Sequence, residues 1–268
     1  MKIGCQTYTW EMRGDDWTGR VDDILDAVSA VGYDGIEITN QMIREYADRP
    51  AEFARALEAR GLALAGFAYA KPSGFTDAGA WTDDLRGAEQ ALRFLASFPG
   101  TVLGLGGASS PDRQNSDAKL AQAAKFYNEI GRRGHREGTP VAFHPHSHHG
   151  SLLESRDEYD RIMELTDPDL IGWNPDTGHI VRGGQDLLDT IRRYAHRIRH
   201  VHLKDADAAN HWQPLGKGIC AIPALLDFLK DELGYNGWLV GEEESAEAWS
   251  DPAAAIAWNR RYLESLGH

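Results

Sequence analysis

Cysteine is scarce in this chain, and long hydrophobic runs are absent. The two cysteines, Cys5 and Cys220, fall in or near predicted core elements, so we expect buried free thiols and no structural disulfide. The longest plain apolar stretch, 62–70, is far shorter than the ~20 residues that a helix needs to cross a bilayer. The first residues contain no apolar signal region, and we therefore expect a cytoplasmic protein.

Basic residues are also few. Lysine and arginine number 28 against 41 aspartates and glutamates, which gives a net charge of −13. Proteins that bind nucleic acid or anionic membranes need a basic face, so we expect neither partner. Hydrophobic residues make up 42% of the chain, which is enough for a large core. These numbers favour a soluble globular protein with a large core.

Short β-type runs alternate with helical patterns along the whole chain. The predicted strands cover 3–8, 35–39, 62–69, 101–105, 141–146, 171–176, 198–204 and 238–242, and the predicted helices cover 21–31, 50–60, 82–98, 118–137, 157–165, 187–195, 222–233 and 252–266. Eight such pairs, at a period of about 33 residues, predict an α/β fold with one domain over 1–268, a single (β/α)8 TIM barrel. An open doubly wound sheet is disfavoured, because Thr9, Trp10 and Glu11 stand where its glycine-rich dinucleotide turn would lie.

Polar side chains of metal-ligand type stand where the last four predicted strands end. His144 and His146 end the fifth strand, Asp176 the sixth, His202 the seventh and Glu242 the eighth. The carboxyl ends of the strands surround the active site of a (β/α)8 barrel. Histidine and carboxylate are ligands for a borderline or hard divalent cation. The pattern therefore predicts one shared site.

Each of these motifs, taken alone, has a plainer explanation. Asp176 is a candidate helix cap, and His202 is a candidate core histidine. The acidic run 242–244 resembles a solvated surface segment, and 144–149 resembles an accidental histidine patch. Their joint occurrence at four consecutive strand ends favours the shared site.

At these motifs the chain resembles the xylose-isomerase-like barrel superfamily, in the branch of sugar phosphate isomerases and epimerases. That branch includes ketose 3-epimerases, inosose dehydratases, 3-keto-glycoside epimerases and the catalytic subunits of C-glycoside deglycosidases, and endonuclease IV is a more distant relative. The resemblance covers essentially the whole chain. The motifs are Gly32-Tyr33-Asp34-Gly35-Ile36-Glu37, Asp176-Thr177-Gly178-His179, His200-Val201-His202-Leu203-Lys204-Asp205, Gly216-Lys217-Gly218, and Gly234-Tyr235-Asn236-Gly237-Trp238 leading to Glu242.

The resemblance implies one divalent metal ion, with Mn²⁺ as the first expectation and Mg²⁺, Co²⁺, Fe²⁺ or Zn²⁺ as alternatives. The family's ligand positions fall on His144, Asp176, His202 and Glu242. Many family members have glutamate at the strand-five position, where it serves as both ligand and base. This chain has His144 there, as inosose-dehydratase-like members with a His-x-His motif do, and His146 is the other candidate ligand. This departure favours elimination over epimerisation.

The chemistry that we expect is abstraction of a proton next to a carbonyl, with a metal-stabilised enediolate. His146 is the candidate base, with Glu242 as the second choice, and His179 and Lys204 are candidates to donate a proton or hold an oxyanion. The predicted function is a metal-dependent lyase or isomerase of a keto-sugar, keto-glycoside or keto-cyclitol, with dehydration or β-elimination favoured. The alternative is a ketose or 3-keto-glycoside epimerase.

Two further alternatives are remote. A non-catalytic sugar-binding barrel would have lost its ligands, and an endonuclease-IV-like phosphodiesterase needs three metals and a basic groove. Candidate substrate-binding residues are Glu37, Trp10, Trp212 and Lys217, although both tryptophans would also serve in ordinary packing. We expect a small carbohydrate or cyclitol as substrate. A homo-oligomer or a small partner subunit stays open.

Overall fold

A computed structural model describes residues 1–147 and 150–268. His148 and His149, part of the predicted histidine patch, lie outside the described residues. None of the helices in the described ranges is both long and apolar enough to cross a bilayer. The chain divides into two compact units, the first made of Met1–Gly66 and His200–His268 and the second of Phe67–Arg199.

Strands and helices alternate along the chain, as the sequence pattern predicts. The strands are β1 (Lys2–Gln6), β2 (Gly35–Thr39), β3 (Ala63–Tyr69), β4 (Val102–Gly106), β5 (Val141–His144), β6 (Ile171–Trp173), β7 (Val201–Leu203), β8 (Asp205–Ala206), β9 (Trp212–Gln213) and β10 (Trp238–Gly241). The α-helices are α1 (Tyr8–Glu11), α2 (Val21–Ala30), α3 (Pro50–Glu58), α4 (Trp81–Leu95), α5 (Ser116–Glu137), α6 (Arg156–Leu165), α7 (Thr177–Arg182), α8 (Leu187–Tyr194), α9 (Ile222–Asp227), α10 (Ala246–Ser250) and α11 (Pro252–Ser265).

The first unit contains a parallel sheet in the strand order β2, β1, β10, β7. Gln6 lies in register with Glu37, and Val240 with His202. Although β2 and β7 are not neighbours in this order, the side chains of Glu37 and His202 approach to 2.9 Å. The sheet of this unit must therefore curve strongly, as the strands of a barrel do. The short strands β8 and β9 form a separate antiparallel pair after β7.

The second unit contains the parallel strands β4, β5 and β6. Gly106 lies in register with His144, and Phe143 with Trp173, which is completely buried. Helix α5 ends at Gly138, whose φ of 74° lies in the left-handed region that glycine adopts without strain. Helix α6 begins with the capping box that Ser155 and Glu158 predict.

The main differences from the predicted elements lie at the strand ends. Strand β1 stops at Gln6, so Tyr8 belongs to α1 and not to the strand. Strands β5 and β6 stop at His144 and Trp173, so His146 and Asp176 follow the strands instead of ending them. Asp176 caps α7, a six-residue helix that is too short to show a hydrophobic period in the sequence. Cys5 and Cys220 are buried and unbridged, which confirms that expectation.

Candidate active-site residues at the strand ends

In the first unit, Glu37 lies against two histidines of the His-x-His motif. Its Oε2 is 2.7 Å from His200 Nε2, and its Oε1 is 2.9 Å from His202 Nε2. Glu37 is only 3% exposed, so both carboxylate oxygens are used inside the protein. Burial raises the pKa of Glu37, but the imidazoles of His202 and His200 outweigh it and hold that pKa well below its usual range.

The other nitrogen of His202 faces a second carboxylate. His202 Nδ1 is 2.8 Å from Glu242 Oε2, so this imidazole lies between Glu37 and Glu242. Burial alone lowers the pKa of His202, whereas the two carboxylates, Glu37 most strongly, raise it to about 10. The contacts explain why a histidine, which is polar at both ring nitrogens, is stable in this buried position.

Lys204 also contacts the buried polar side chains of the first unit. Its ammonium is 3.0 Å from Glu242 Oε1, is paired with Glu244, and lies 4.1 Å from the ring centroid of Trp212. Burial raises the pKa of Glu244 to about 7, against the opposing pull of Lys204. Glu242 and Glu243 are buried as well, so the acidic run is not the solvated segment of the plainer explanation.

In the second unit, backbone groups fix the tautomers of two histidines. His144 Nδ1 lies 3.3 Å from the carbonyl oxygen of Asn174, and a carbonyl only accepts, so Nδ1 carries the hydrogen and Nε2 the lone pair. His179 has the opposite arrangement. The N–H of Ser147 donates to His179 Nδ1 at 3.0 Å, so in the neutral ring Nε2 carries the hydrogen.

Asp176 and His146 stand beside these two histidines. Asp176 Oδ1 accepts the backbone N–H of His179 at 2.8 Å, which confirms that Asp176 caps α7. The ring of His146 lies 4.7 Å from that of His144 and 5.0 Å from that of His179, centroid to centroid. His146 is the most exposed of these three histidines.

The three histidines do not themselves form a suitable metal centre. Ring nitrogens of His144, His146 and His179 lie within 4.8 Å of one another. Each ligand must offer a lone pair, however, and the lone pair of His179 Nδ1 already accepts the Ser147 N–H. His179 therefore presents an Nε2–H donor. This arrangement suits a group that donates to a substrate oxygen.

The predicted substrate-binding residues have different surroundings. Trp212 is half-buried over Lys204, and Trp10 is buried in α1. The ammonium of Lys217 lies 4.3 Å from the ring centroid of Trp258 and 3.8 Å from Glu247. These contacts place Lys217 in a surface groove of about 710 Å³ that α10 and α11 line. Substrate binding by Lys217 stays a prediction.

Two residues that hold neighbouring backbone or side chains in place, one in each unit, were not predicted from the sequence. Ser147 orients His179 through its backbone, which no side-chain pattern can reveal. Asp205 is 1% exposed and accepts the backbone N–H groups of Ala206, Gly216, Gly218 and Cys220. The Lys204-Asp205 pair in the strand-seven motif and the later glycines were the available signs of that role.

Residues 25–266 match the family model described as xylose isomerase-like TIM barrel. Solved structures with the same fold include 3-keto-D-glucoside 4-epimerase from E. coli, with 18% identity, a TM-score of 0.76, and 97% of this chain and 99% of that one covered. The IolI protein with a bound zinc atom has 15% identity and a TM-score of 0.81, with 99% and 98% covered. The predicted (β/α)8 fold is confirmed.

Curated relatives of this chain include several inosose dehydratases. The protein from Lacticaseibacillus casei is 27% identical over 267 residues, which cover 90% of this chain and 88% of that one. The protein from Geobacillus kaustophilus is 34% identical over 140 residues, 46% of each chain. The match thus spans about half the length of some of these relatives and most of the length of others.

Proposed function

Because the chain belongs to the xylose isomerase-like TIM barrel family, we propose that it is a divalent-metal-dependent dehydratase of a keto-cyclitol or a related keto-sugar. The observation that carries this proposal is the buried pairing of His202 with Glu242, 2.8 Å apart, at neighbouring strand ends. Buried charged groups in proteins are paired or coordinate metals. The inosose dehydratases among the relatives support the choice of substrate class.

The proposed ligands are His144, Asp176, His202 and Glu242. The chemistry of this donor set fits a divalent ion, because two imidazoles and two carboxylates suit Mn²⁺, Fe²⁺, Co²⁺ and Zn²⁺. His144 is preferred over His146, since its Nδ1–H points at the Asn174 carbonyl and its Nε2 carries the lone pair. When bound, such an ion supplies Lewis-acid polarisation of a substrate carbonyl.

The remaining residues provide the proton transfers. His146, the more exposed imidazole, removes the proton from the carbon next to the carbonyl. His179 Nε2–H or the Lys204 ammonium protonates the departing hydroxyl of the neighbouring carbon. One C–H bond and one C–O bond break, a C=C bond forms, and water leaves. The opposite tautomers of His144 and His179 support this separation of a ligand from a donor.

Epimerisation is the second candidate, because it begins with the same proton abstraction. It requires a proton to return on the opposite face of the carbon, and in many family members the strand-five glutamate acts as a base. His144 holds that position here. The substitution of an imidazole for that carboxylate favours dehydration.

Proton NMR in D₂O distinguishes the reactions. Inososes, 3-keto-glucosides and ketoses are incubated with the protein plus Mn²⁺, and in parallel with EDTA. We expect metal-dependent loss of water from an inosose. Deuterium uptake with an unchanged carbon skeleton would assign an epimerase or isomerase instead. Turnover that persists in EDTA, or no turnover of any of these compounds, would contradict the proposal.

A further inference from the structure

We propose that Glu37 is a positioning residue that fixes how His202 faces the metal, and that it does not contact substrate. This inference rests on the proposed function, because it assumes that His202 is a ligand. It also replaces the sequence-based prediction that Glu37 binds sugar hydroxyls. The proposal makes Nδ1 the ligating atom of His202.

Both carboxylate oxygens of Glu37 lie against imidazole nitrogens inside the protein. Oε1 lies 2.9 Å from His202 Nε2, and Oε2 lies 2.7 Å from His200 Nε2. The side chains of Glu37, His200 and His202 are all at most 3% exposed. Because each oxygen is held by a different imidazole, the carboxylate cannot rotate without losing a contact. His200 therefore acts as a second anchor for the carboxylate that orients His202.

The position of His202 between two carboxylates determines which nitrogen binds. Nε2 faces Glu37, whereas Nδ1 is 2.8 Å from Oε2 of Glu242, a proposed ligand. A metal-binding histidine usually donates its other ring N–H to a carboxylate or a carbonyl. Nε2–H therefore donates to Glu37, and the Nδ1 lone pair points to the side where Glu242 also offers an oxygen.

Strand β3 provides an independent observation on the same carboxylate. Gly66 packs so closely on Glu37 that an added Cβ would overlap Oε2 and lie 3.0 Å from Cδ. The side chain at position 66 must therefore be absent for Glu37 to keep its place. Gly66→Ala displaces the carboxylate without changing a polar group, which makes it a second way to test the same contact.

The experiment measures Mn²⁺ affinity by titration calorimetry for the wild type, Glu37→Gln and Gly66→Ala. A glutamine keeps one acceptor oxygen for two imidazole N–H groups. One of these N–H groups would therefore face the amide N–H groups of the glutamine, which also donate. We expect the dissociation constant for Mn²⁺ to rise by ~10–100-fold in both variants, which is the usual effect of losing a group that hydrogen-bonds to a metal ligand. Glu243→Gln is the matched control, because Glu243 is also buried but accepts from Ser245 and Asn259. Its affinity should stay at the wild-type value, and circular dichroism checks that each variant is folded.

A second measurement needs no variant. Long-range ¹H–¹⁵N spectra of the zinc-loaded wild type should show His202 with a protonated Nε2 and a metal-bound Nδ1. The reverse pattern would overturn the inference, as would unchanged Mn²⁺ affinity in folded Glu37→Gln and Gly66→Ala. A wild type that takes up no metal would instead overturn the proposed function, and this inference with it.

Discussion

Asp205→Asn tests whether one buried carboxylate holds the loop beside the proposed site. Asp205 Oδ1 accepts the N–H groups of Ala206 and Cys220 at 2.9 and 3.0 Å. Oδ2 accepts those of Gly216 and Gly218 at 2.9 and 3.0 Å. The carboxylate thus ties both ends of the segment that follows β7 to one point.

The expected magnitude follows from these contacts. An asparagine keeps one acceptor oxygen and sets its amide N–H groups against the other two backbone donors. A hydrogen bond to a charged acceptor contributes ~1.5–3 kcal/mol. Two lost bonds would therefore cost ~3–6 kcal/mol, and partial relaxation of the loop towards water places our expectation near the lower value, about 3 kcal/mol.

Urea denaturation of the wild type and Asp205→Asn measures the difference in unfolding free energy. Asp207→Asn is the control in the same loop, because Asp207 also accepts backbone N–H groups, from Ala209 and His211, but at the surface. It should change stability much less. Turnover should also fall in Asp205→Asn, since the loop holds Trp212 over Lys204. A loss below about 1 kcal/mol, or the same loss in both variants, would refute the reasoning.

Two further predictions separate the roles of neighbouring groups. Metal analysis should show that His144→Ala loses bound Mn²⁺ and that His146→Ala keeps it. A rate assay should show that turnover of His146→Ala falls by ~10²–10⁴-fold. If His146→Ala lost the metal and His144→Ala kept it, the two roles would be exchanged. Burial raises the pKa of Glu11, whose carboxylate accepts the Thr39 hydroxyl. The contribution of Glu11 to the free energy of unfolding is therefore complete at low pH, and it falls as pH rises through the folded-state pKa. Glu11→Gln should therefore gain stability relative to the wild type between about pH 4 and pH 7 in urea titrations, and an equal difference at both pH values would contradict this.

Long elements of the fold were predictable because their hydrophobic periods are complete within the sequence. Strand β2 lies at Gly35–Thr39, as the pattern predicts, and α5 differs from its predicted range by two residues at its start. Helix α7 and the pair β8–β9 were missed, because elements of six and two residues contain too little repeating pattern.

The residue types of the site were predictable, but their partners were not. His200, His202 and Lys204 occupy alternate positions of the seventh predicted strand, and they lie together in the structure, since the first two share Glu37 and the last two share Glu242. The role of Glu37 was not apparent, because its contact with His202 depends on how the sheet curves between β2 and β7. Curvature arises from the packing of the whole sheet, and a local pattern cannot specify it.

The histidines of this chain show why residue type alone does not assign a role. His144 faces a backbone carbonyl, His179 faces a backbone amide and His202 faces a carboxylate, each at one ring nitrogen. The carbonyl and the Glu37 carboxylate accept a hydrogen, so in the proposed site the other nitrogen of His144 and of His202 would offer a lone pair to the metal. The amide donates, so in the proposed reaction the other nitrogen of His179 would donate a hydrogen to a substrate oxygen. The same side chain thus becomes a ligand or a donor according to the group behind it, and exchange of that group should exchange the role.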